Sequence, residues 1–207
     1  MSEHPVLFPL FLKLEGRLCL VVGGNAEVQG KIYGLLASGA LVKIVSPIVT
    51  DEIRRLAVDQ KVQWEARVFT PTDLENVTLV VANDDDDAVN ELVYREATAR
   101  GVLCNVVDQP ERCHFYYSAV VRRGQLQIAV STGGLSPALA KQIRHDLERQ
   151  FEPAYADWLQ AVGCARERIL GAHVRSPRRT RLLQRIASKQ AFSKFLSIRN
   201  KSEQEIL

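Results

Sequence analysis

The sequence predicts an α/β protein: a parallel sheet covered by helices on both faces, then a small central module and a helical C-terminal region. Three observations carry that expectation. Short continuous Val/Leu/Ile runs alternate with helical stretches through the first 112 residues, as in strands buried on both faces and joined by helical crossovers. The run LCLVV, Leu18–Val22, breaks at Gly23-Gly24 and leads straight into a helical pattern, the layout of a phosphate-binding strand–turn–helix. From Ala138 onward the chain reads as helices alone.

Leu18–Val22 is expected as the first strand, Glu27–Ser38 as a helix and Leu41–Val45 as the second strand. Asp51–Val58 follows as a helix, Val62–Val68 and Val77–Ala82 as strands, Ala88–Arg100 as a helix and Val102–Val107 as the last strand. Right-handed crossovers make this a Rossmann-like domain over residues 1–112. Ser118–Val121 and Leu126–Val130, joined by Arg122-Arg123-Gly124, read as a strand pair in a central module spanning 113–150. Ser131-Thr132-Gly133-Gly134-Leu135-Ser136-Pro137 closes the pair, with Ser136 as an N-cap and Pro137 at the first helical position. Residues 151–207 are expected as a basic helical domain broken near Pro153 and Ser176-Pro177.

At 207 residues and 46% hydrophobic content, the chain can bury one full domain plus an appendage. No apolar run approaches the ~20 residues of a membrane span. The N-terminus MSEHPVLFPLF lacks the layout of a signal peptide, so a cytoplasmic protein with no membrane partner is expected. Cys19, Cys104, Cys113 and Cys164 form no CxxC pair; reduced thiols are expected and a zinc site is not. The net charge of +3 is uneven: from Ala161 to Leu207, 11 Lys/Arg against three Glu give +8, leaving −5 for the first 160 residues. That tail reads either as a solvated helical face or as a seat for an anionic partner, nucleic acid or a polycarboxylate small molecule. Only Phe192 and Phe195 follow Trp158 as aromatic residues, so a base-stacking surface is poorly supported and nucleic acid is the weaker partner.

The dinucleotide fingerprint G-x-G-x-x-G uses its first glycine for the turn, its second for close approach to a pyrophosphate and its third for helix packing. Gly23 fills the first position, but Asn25 and Val28 stand at the second and third. Asparagine tolerates positive φ, so the turn is expected to survive with Asn25 in a left-handed conformation, its side chain crowding the phosphate path. Gly23, Gly24, Asn25, Ala26 and Glu27 form the candidate cofactor loop. A P-loop would need glycine at Asn25 and a hydroxyl at Ile32, which disfavours nucleotide hydrolysis. No acid ends the second strand to hold a ribose, so Ser46, Pro47 and Ile48 are the candidate contacts there, leaving NAD against NADP open. Ala82-Asn83-Asp84-Asp85-Asp86-Asp87 is either a divalent-cation site or, more in keeping with the helix dipole, a solvated helix N-terminus. Ala82, Asn83 and Asp84 fall at the cofactor edge. Asp108 ends another strand at that edge, as a carboxylate for chemistry or a turn former before Gln109-Pro110. His114 lies six residues on and is a candidate base or metal ligand beside it.

Taken together these segments resemble the precorrin-2 dehydrogenase / sirohydrochlorin ferrochelatase family, the siroheme synthase dehydrogenase module. The resemblance is carried by Pro9-Leu10-Phe11-Leu12 leading into VVGG, by FTPTDLENVTLVVANDDDDAVN, by CNVVDQPERCHF, and by AVVRRGQLQIAVSTGGLSPALAKQIR. It runs over about residues 8–150. It implies NAD-dependent oxidation of precorrin-2 to sirohydrochlorin, insertion of ferrous iron in some members, and a homodimer formed through the central module and helices. By the same resemblance Asp108 is the key carboxylate, Gly23–Glu27 the cofactor loop, and Thr132 the position of a regulatory phosphoserine in some members. A polycarboxylate macrocycle needs cations around it. Arg122, Arg123, Lys141, Arg144 and the basic tail are the candidates, beside Thr132, Gly133, Gly134 and Ser136 of the Gly-rich turn. The family's usual GGG is here Gly23-Gly24-Asn25, and His114 replaces an Asp or Asn. No fused methyltransferase activity is expected. Two rival readings remain: a chelatase whose oxidation step has decayed through Asn25 and Val28, and a non-catalytic nucleotide- or nucleic-acid-binding protein.

Overall fold

The computed structural model describes residues 6–172 and 176–204. Its first unit, residues 1–117, is built on five parallel strands: β1 Leu18–Val22, β2 Leu41–Val45, β3 Gln63–Glu65, β4 Leu79–Ala82 and β5 Leu103–Val106. Their order is β3-β2-β1-β4-β5. Pairing sets Val22 beside Val45 on one side and beside Ala82 on the other, so these strands end together at one edge. The chain runs outward from β1 to β3 and returns on β1's other side. The loops after β1 and β4 therefore diverge, opening the crevice where ligands bind in such sheets.

Strand geometry sends alternate side chains to opposite faces. Cys19, Val21, Val42, Ile44, Leu79 and Val81 pack on Val28, Ile32 and Leu35 of α1 (Ala26–Ala37) and on Ile53 and Leu56 of α2 (Asp51–Val58). Leu20, Val22, Val45, Val80, Ala82, Cys104 and Val106 pack on Val93 and Ala97 of α3 (Asp87–Arg100). Each fully buried Val, Leu or Ile stabilises by about 1.5–3 kcal/mol. Both faces are covered, which is why the strands show no polar alternation.

Strand β3 is shorter than the expected Val62–Val68. After it the backbone turns so that Arg67 can reach Asp73, which lies in an unexpected short 3-10 turn, Pro71–Leu74. Asp73 is 4% exposed. It receives Arg67 at 2.6 and 2.8 Å, Lys43 Nζ at 2.9 Å and the Thr70 amide at 2.9 Å. Burial alone would raise its pKa; the Arg67, Lys43 and Thr70 hydrogen bonds outweigh burial and hold it well below the usual carboxylate range. All four cysteines are free. Burial pushes the Cys19 thiol up to about 11 and the Cys104 thiol up to about 12, so both are inert apolar packing groups.

The second unit, residues 118–207, begins with an antiparallel hairpin, β6 Ala119–Arg123 and β7 Leu126–Val130. Arg122 and Arg123 belong to β6, not to the turn as expected. Pairing continues to Arg123↔Leu126 and leaves Gly124-Gln125 to reverse the chain, with Gly124 supplying the positive φ of +58°. α4 (Pro137–Gln150) starts as expected: the Ser136 hydroxyl accepts from the Leu139 amide, and Pro137 opens the helix. α5 (Tyr155–Gly171), α6 (Ser176–Ile186) and α7 (Lys189–Gln204) follow. The breaks at Pro153 and before Ser176-Pro177 fall where expected. A further one lies at Ser188, whose hydroxyl accepts from the Ala191 amide. Tyr155, Trp158 and Phe192 pack together, with ring centroids 4.2 and 4.9 Å from Phe192. Phe192 is thus spent on a core.

The first unit runs to Tyr117, five residues beyond the boundary expected from the sequence. Cys113 bridges to Asn105, His114 bonds to Cys104, and Asn105 Nδ2 donates to the Phe115 carbonyl at 2.8 Å. These bonds stitch residues 113–115 onto β5. The helices after residue 150 share one unit with the hairpin.

Candidate functional site

At the crevice of the first unit, Gly23 adopts φ +106°, and a Cβ there would sit 2.2 Å from the Asn83 carbonyl oxygen. A Cβ on Gly24 would sit 2.1 Å from the Ile48 carbonyl oxygen. Both positions therefore admit only glycine. The loop is braced by Gly23 N–H to Val45 O, Thr50 N–H to Gly24 O and Asn83 N–H to Val22 O, at 3.1, 3.0 and 2.9 Å. The result is a flat backbone floor at the N-terminus of α1, where a pyrophosphate is held by backbone amides and the helix dipole. The residues present thus fit a dinucleotide.

Asn25 corrects the expectation placed on it. Its φ is −79°, an extended N-cap rather than a left-handed turn; Gly23 alone makes the turn. The Asn25 carboxamide oxygen accepts from the Glu27 and Val28 amides at 3.2 and 3.4 Å. Those are the donors a phosphate oxygen would use, so Asn25 competes with the cofactor by capping the helix. Asn83 ties the cluster together, donating to Glu27 Oε2 at 2.8 Å and to Asn25 Oδ1 at 3.3 Å. Ala26 opens α1 at the surface.

After β2, the Ser46 hydroxyl donates to the Ile48 carbonyl at 2.7 Å and the Ser46 carbonyl accepts from Trp64 Nε1 at 3.0 Å. Ser46 is buried and shapes this turn, while Pro47 and Ile48 are exposed beside it. After β4, buried Ala82 gives way to Asn83 and Asp84. Asn90, 5% exposed, accepts from the Asp84 amide at 2.9 Å and donates to its carbonyl at 2.8 Å. Asp86 caps α3 by accepting from the Ala88 amide. The acidic run is the start of a helix, and Asp87 is paired with Arg112 at 2.7 Å. Sequence reasoning missed Asn90 because an Asn inside a helix gives no sign that it braces a neighbouring loop.

Asp108 follows β5 with φ +59° and is exposed. Asparagine and aspartate are the side chains that tolerate this conformation best, so Asp108 forms the turn while its carboxylate faces solvent. His114 does not join it as a metal ligand or base. Its Nδ1 accepts from the Cys104 amide at 3.1 Å, which leaves the proton on Nε2, 3.2 Å from the Thr98 hydroxyl. Both ring nitrogens are spent on structure. Among the described residues no group of three or more His, Cys, Asp and Glu converges as a metal cage.

In the second unit the expected substrate residues separate. Arg123 turns inward and donates to the Phe151 and Glu148 carbonyls at 2.6 and 3.0 Å, capping the end of α4. Arg144 is paired with Glu148. Arg122, on the other face of β6, and Lys141 on α4 stay exposed. Gly133 and Gly134 adopt φ +62° and +85°, and the turn is closed by the Ser136 amide donating to the Thr132 hydroxyl at 3.2 Å. On α6, Arg178, Arg181, Leu182 and Arg185 line one open groove, the one-sided spacing of a helix.

Residues 10–119 match a family model described as putative NAD(P)-binding, and residues 123–150 match one described as sirohaem biosynthesis protein central. A siroheme synthase of Nitrosococcus oceani is 38% identical over 161 residues, covering 78% of this chain and 34% of that protein. A siroheme synthase of Methylobacillus flagellatus is 40% identical over 147 residues, 71% of this chain and 32% of that one. The chain thus spans about a third of the length of these relatives. Among solved structures, SirC, a precorrin-2 dehydrogenase, superposes with a TM-score of 0.78 at 29% identity, over 96% of this chain and 98% of that one.

Proposed function

We propose that this chain, which belongs to the putative NAD(P)-binding family and carries a sirohaem-biosynthesis central segment behind that domain, oxidises precorrin-2 to sirohydrochlorin with NAD. The observation that carries the reading is the glycine floor at Gly23 and Gly24, on the same sheet edge as Asp108. Gly23, Gly24 and the first amides of α1 would hold the pyrophosphate, with Ser46, Pro47 and Ile48 beside the adenosine end and Ala82, Asn83 and Asp84 nearer the middle. Bound NAD supplies the hydride acceptor. The remaining step is loss of a proton from the macrocycle as the hydride departs, and the Asp108 carboxylate takes it. The substrate loses two electrons and two hydrogens, so the reaction balances with no other oxidant. Asp108 would also accept pyrrole protons if ferrous iron enters as a second substrate; His114 has no part in that step.

The open cations of the second unit, Arg122, Lys141 and the α6 arginines, support binding of a polycarboxylate. The exposed apolar residues Val6, Phe8, Leu10 and Phe11 support a second copy as partner, and the four free thiols fit a cytoplasmic setting. Among the described residues no helix is long and apolar enough to cross a membrane. Anaerobic incubation with precorrin-2 and NAD, followed by absorption spectroscopy, tests the reading: sirohydrochlorin and NADH should form together in equal amounts. A parallel incubation with ferrous iron should then show whether the sirohydrochlorin band is consumed. No NADH, with iron nevertheless inserted into added sirohydrochlorin, would leave a chelatase alone.

A further inference from the structure

The loop after β4 walls one side of the phosphate turn, and a single peptide unit, Asn83–Asp84, meets that turn. Its carbonyl lies so close to Gly23 that a Cβ there would sit 2.2 Å from the oxygen. The same oxygen accepts from Asn25 Nδ2 at 3.3 Å. At the other end of this peptide the Asp84 amide donates to Asn90 Oδ1 at 2.9 Å, and Asn90 Nδ2 donates in turn to the Asp84 carbonyl at 2.8 Å. The Asp84 carboxylate is engaged elsewhere, accepting from the Asp86 amide at 3.0 Å. Asn90 lies in the first turn of α3 and is buried. Asparagine is a weak helix former, and a buried carboxamide is costly unless bonded. Neither fact favours Asn90 within α3 for the helix's own sake; what its side chain bonds is the loop.

We infer that Asn90 is a positioning residue for NAD: by holding both backbone groups of Asp84 it fixes the Asn83–Asp84 peptide with its carbonyl against Gly23 and Asn25, and so keeps the phosphate floor in the shape that receives the pyrophosphate. This rests on the reading of that floor as the NAD site. A peptide in a loop can rotate about the bonds to its two flanking Cα atoms. Here rotation would carry the Asn83 carbonyl away from Asn25 Nδ2 and change the wall against which Gly23 turns. A two-point clamp from a helix removes that freedom before the cofactor arrives, so binding has less ordering entropy to overcome. Both polar atoms of the Asn90 carboxamide are engaged by Asp84, so the residue acts through the loop and not by touching the cofactor.

Three variants of the full chain test this by calorimetric titration with NAD and by steady-state kinetics. Asn90→Ala should raise the Kd for NAD by about tenfold, while kcat at saturating NAD and the KM for precorrin-2 stay close to wild type. Asn90→Leu keeps the volume and also removes both bonds; it should show the same loss, and it carries the test if the alanine variant does not fold. Asn90→Asp keeps an acceptor for the Asp84 amide in either protonation state. That amide belongs to the peptide whose carbonyl meets Gly23, so most of the affinity should return. An unchanged Kd for NAD in the folded Ala or Leu variant, equal losses in all three variants, or a kcat at saturating NAD that falls as far as the affinity does each overturn the inference. The underlying reading fails separately: wild type itself would then bind no NAD, and the inference would fall with it.

Discussion

The two units of the chain are stabilised by different means. In the first, both faces of a five-stranded sheet are covered, and most residues of its central strands β2, β1 and β4 are apolar and buried. In the second, Val121, Ala140, Ala154 and Phe192 are the only buried apolar side chains among the described residues, while arginines line the exposed face of α6. Shape in the first unit follows from burial. The second spends its residues on charge and on surfaces left open. Under the proposed function, the first unit would supply the rigid support that catalytic geometry needs, and the second the attraction that a polycarboxylate needs.

The sharpest way to break this contrast is at Asp108. Replacing it with Asn, which tolerates the same left-handed backbone, should cost about 10²–10⁴-fold in turnover and leave the circular dichroism and unfolding midpoint intact. A variant retaining half the wild-type rate would remove the chemistry from the first unit. Next in size is Asp73→Asn, which leaves Lys43 and the partly exposed Arg67 without their buried carboxylate and should destabilise by about 2 kcal/mol, less than a fully buried pair because water screens Arg67, read from denaturant unfolding. The sign with pH follows from its depressed pKa. The contribution of Asp73 is complete above the ordinary carboxylate range and is lost as pH falls below about 4 toward its lower folded value. Wild type should therefore lose more stability than Asp73→Asn on acidification.

On the other side of the comparison, charge reversal of Arg178, Arg181 and Arg185 together should raise KM for precorrin-2 by about tenfold at low salt, shrinking as salt screens the field. Unchanged KM at low salt would make α6 a solvated face. The smallest effect is expected at Asn25. Asn25→Gly frees the Glu27 and Val28 amides at a capping cost of only a few tenths of a kcal/mol, and should tighten NAD by about threefold in a calorimetric titration. Asn25→Asp keeps the cap but sets a carboxylate against the pyrophosphate, and should weaken NAD. Wild type binding NAD tighter than the glycine variant would mean that the carboxamide itself contacts the cofactor.

Much of the first unit was legible in the sequence because burial on two faces writes itself as continuous apolar runs, and because Gly23-Gly24 marks a turn no other residue can make. Leu18–Val22, Leu41–Val45 and Asp51–Val58 fall on the observed elements without adjustment. The acidic run before α3 was readable as a helix start from the dipole alone. The short β3 was not, because its end is set by Arg67 reaching a buried Asp73 distant in pattern though close in chain.

Residue types and local periodicity determined the sheet, its helices, the phosphate turn and the identity of the residues at its edge. Tertiary structure decided which of them remain available. Arg123 and Arg144 looked as free as Arg122 and Lys141, yet a helix end and a neighbouring Glu148 claim the first two. His114 looked like a ligand until β5 took one nitrogen and α3 the other. Asn25 looked like a left-handed turn until Gly23 proved able to make that turn alone and the helix amides captured its side chain. The physical reason is common to all four: a polar side chain satisfies the nearest strong partner, and which partner is nearest depends on contacts between segments that no local pattern records.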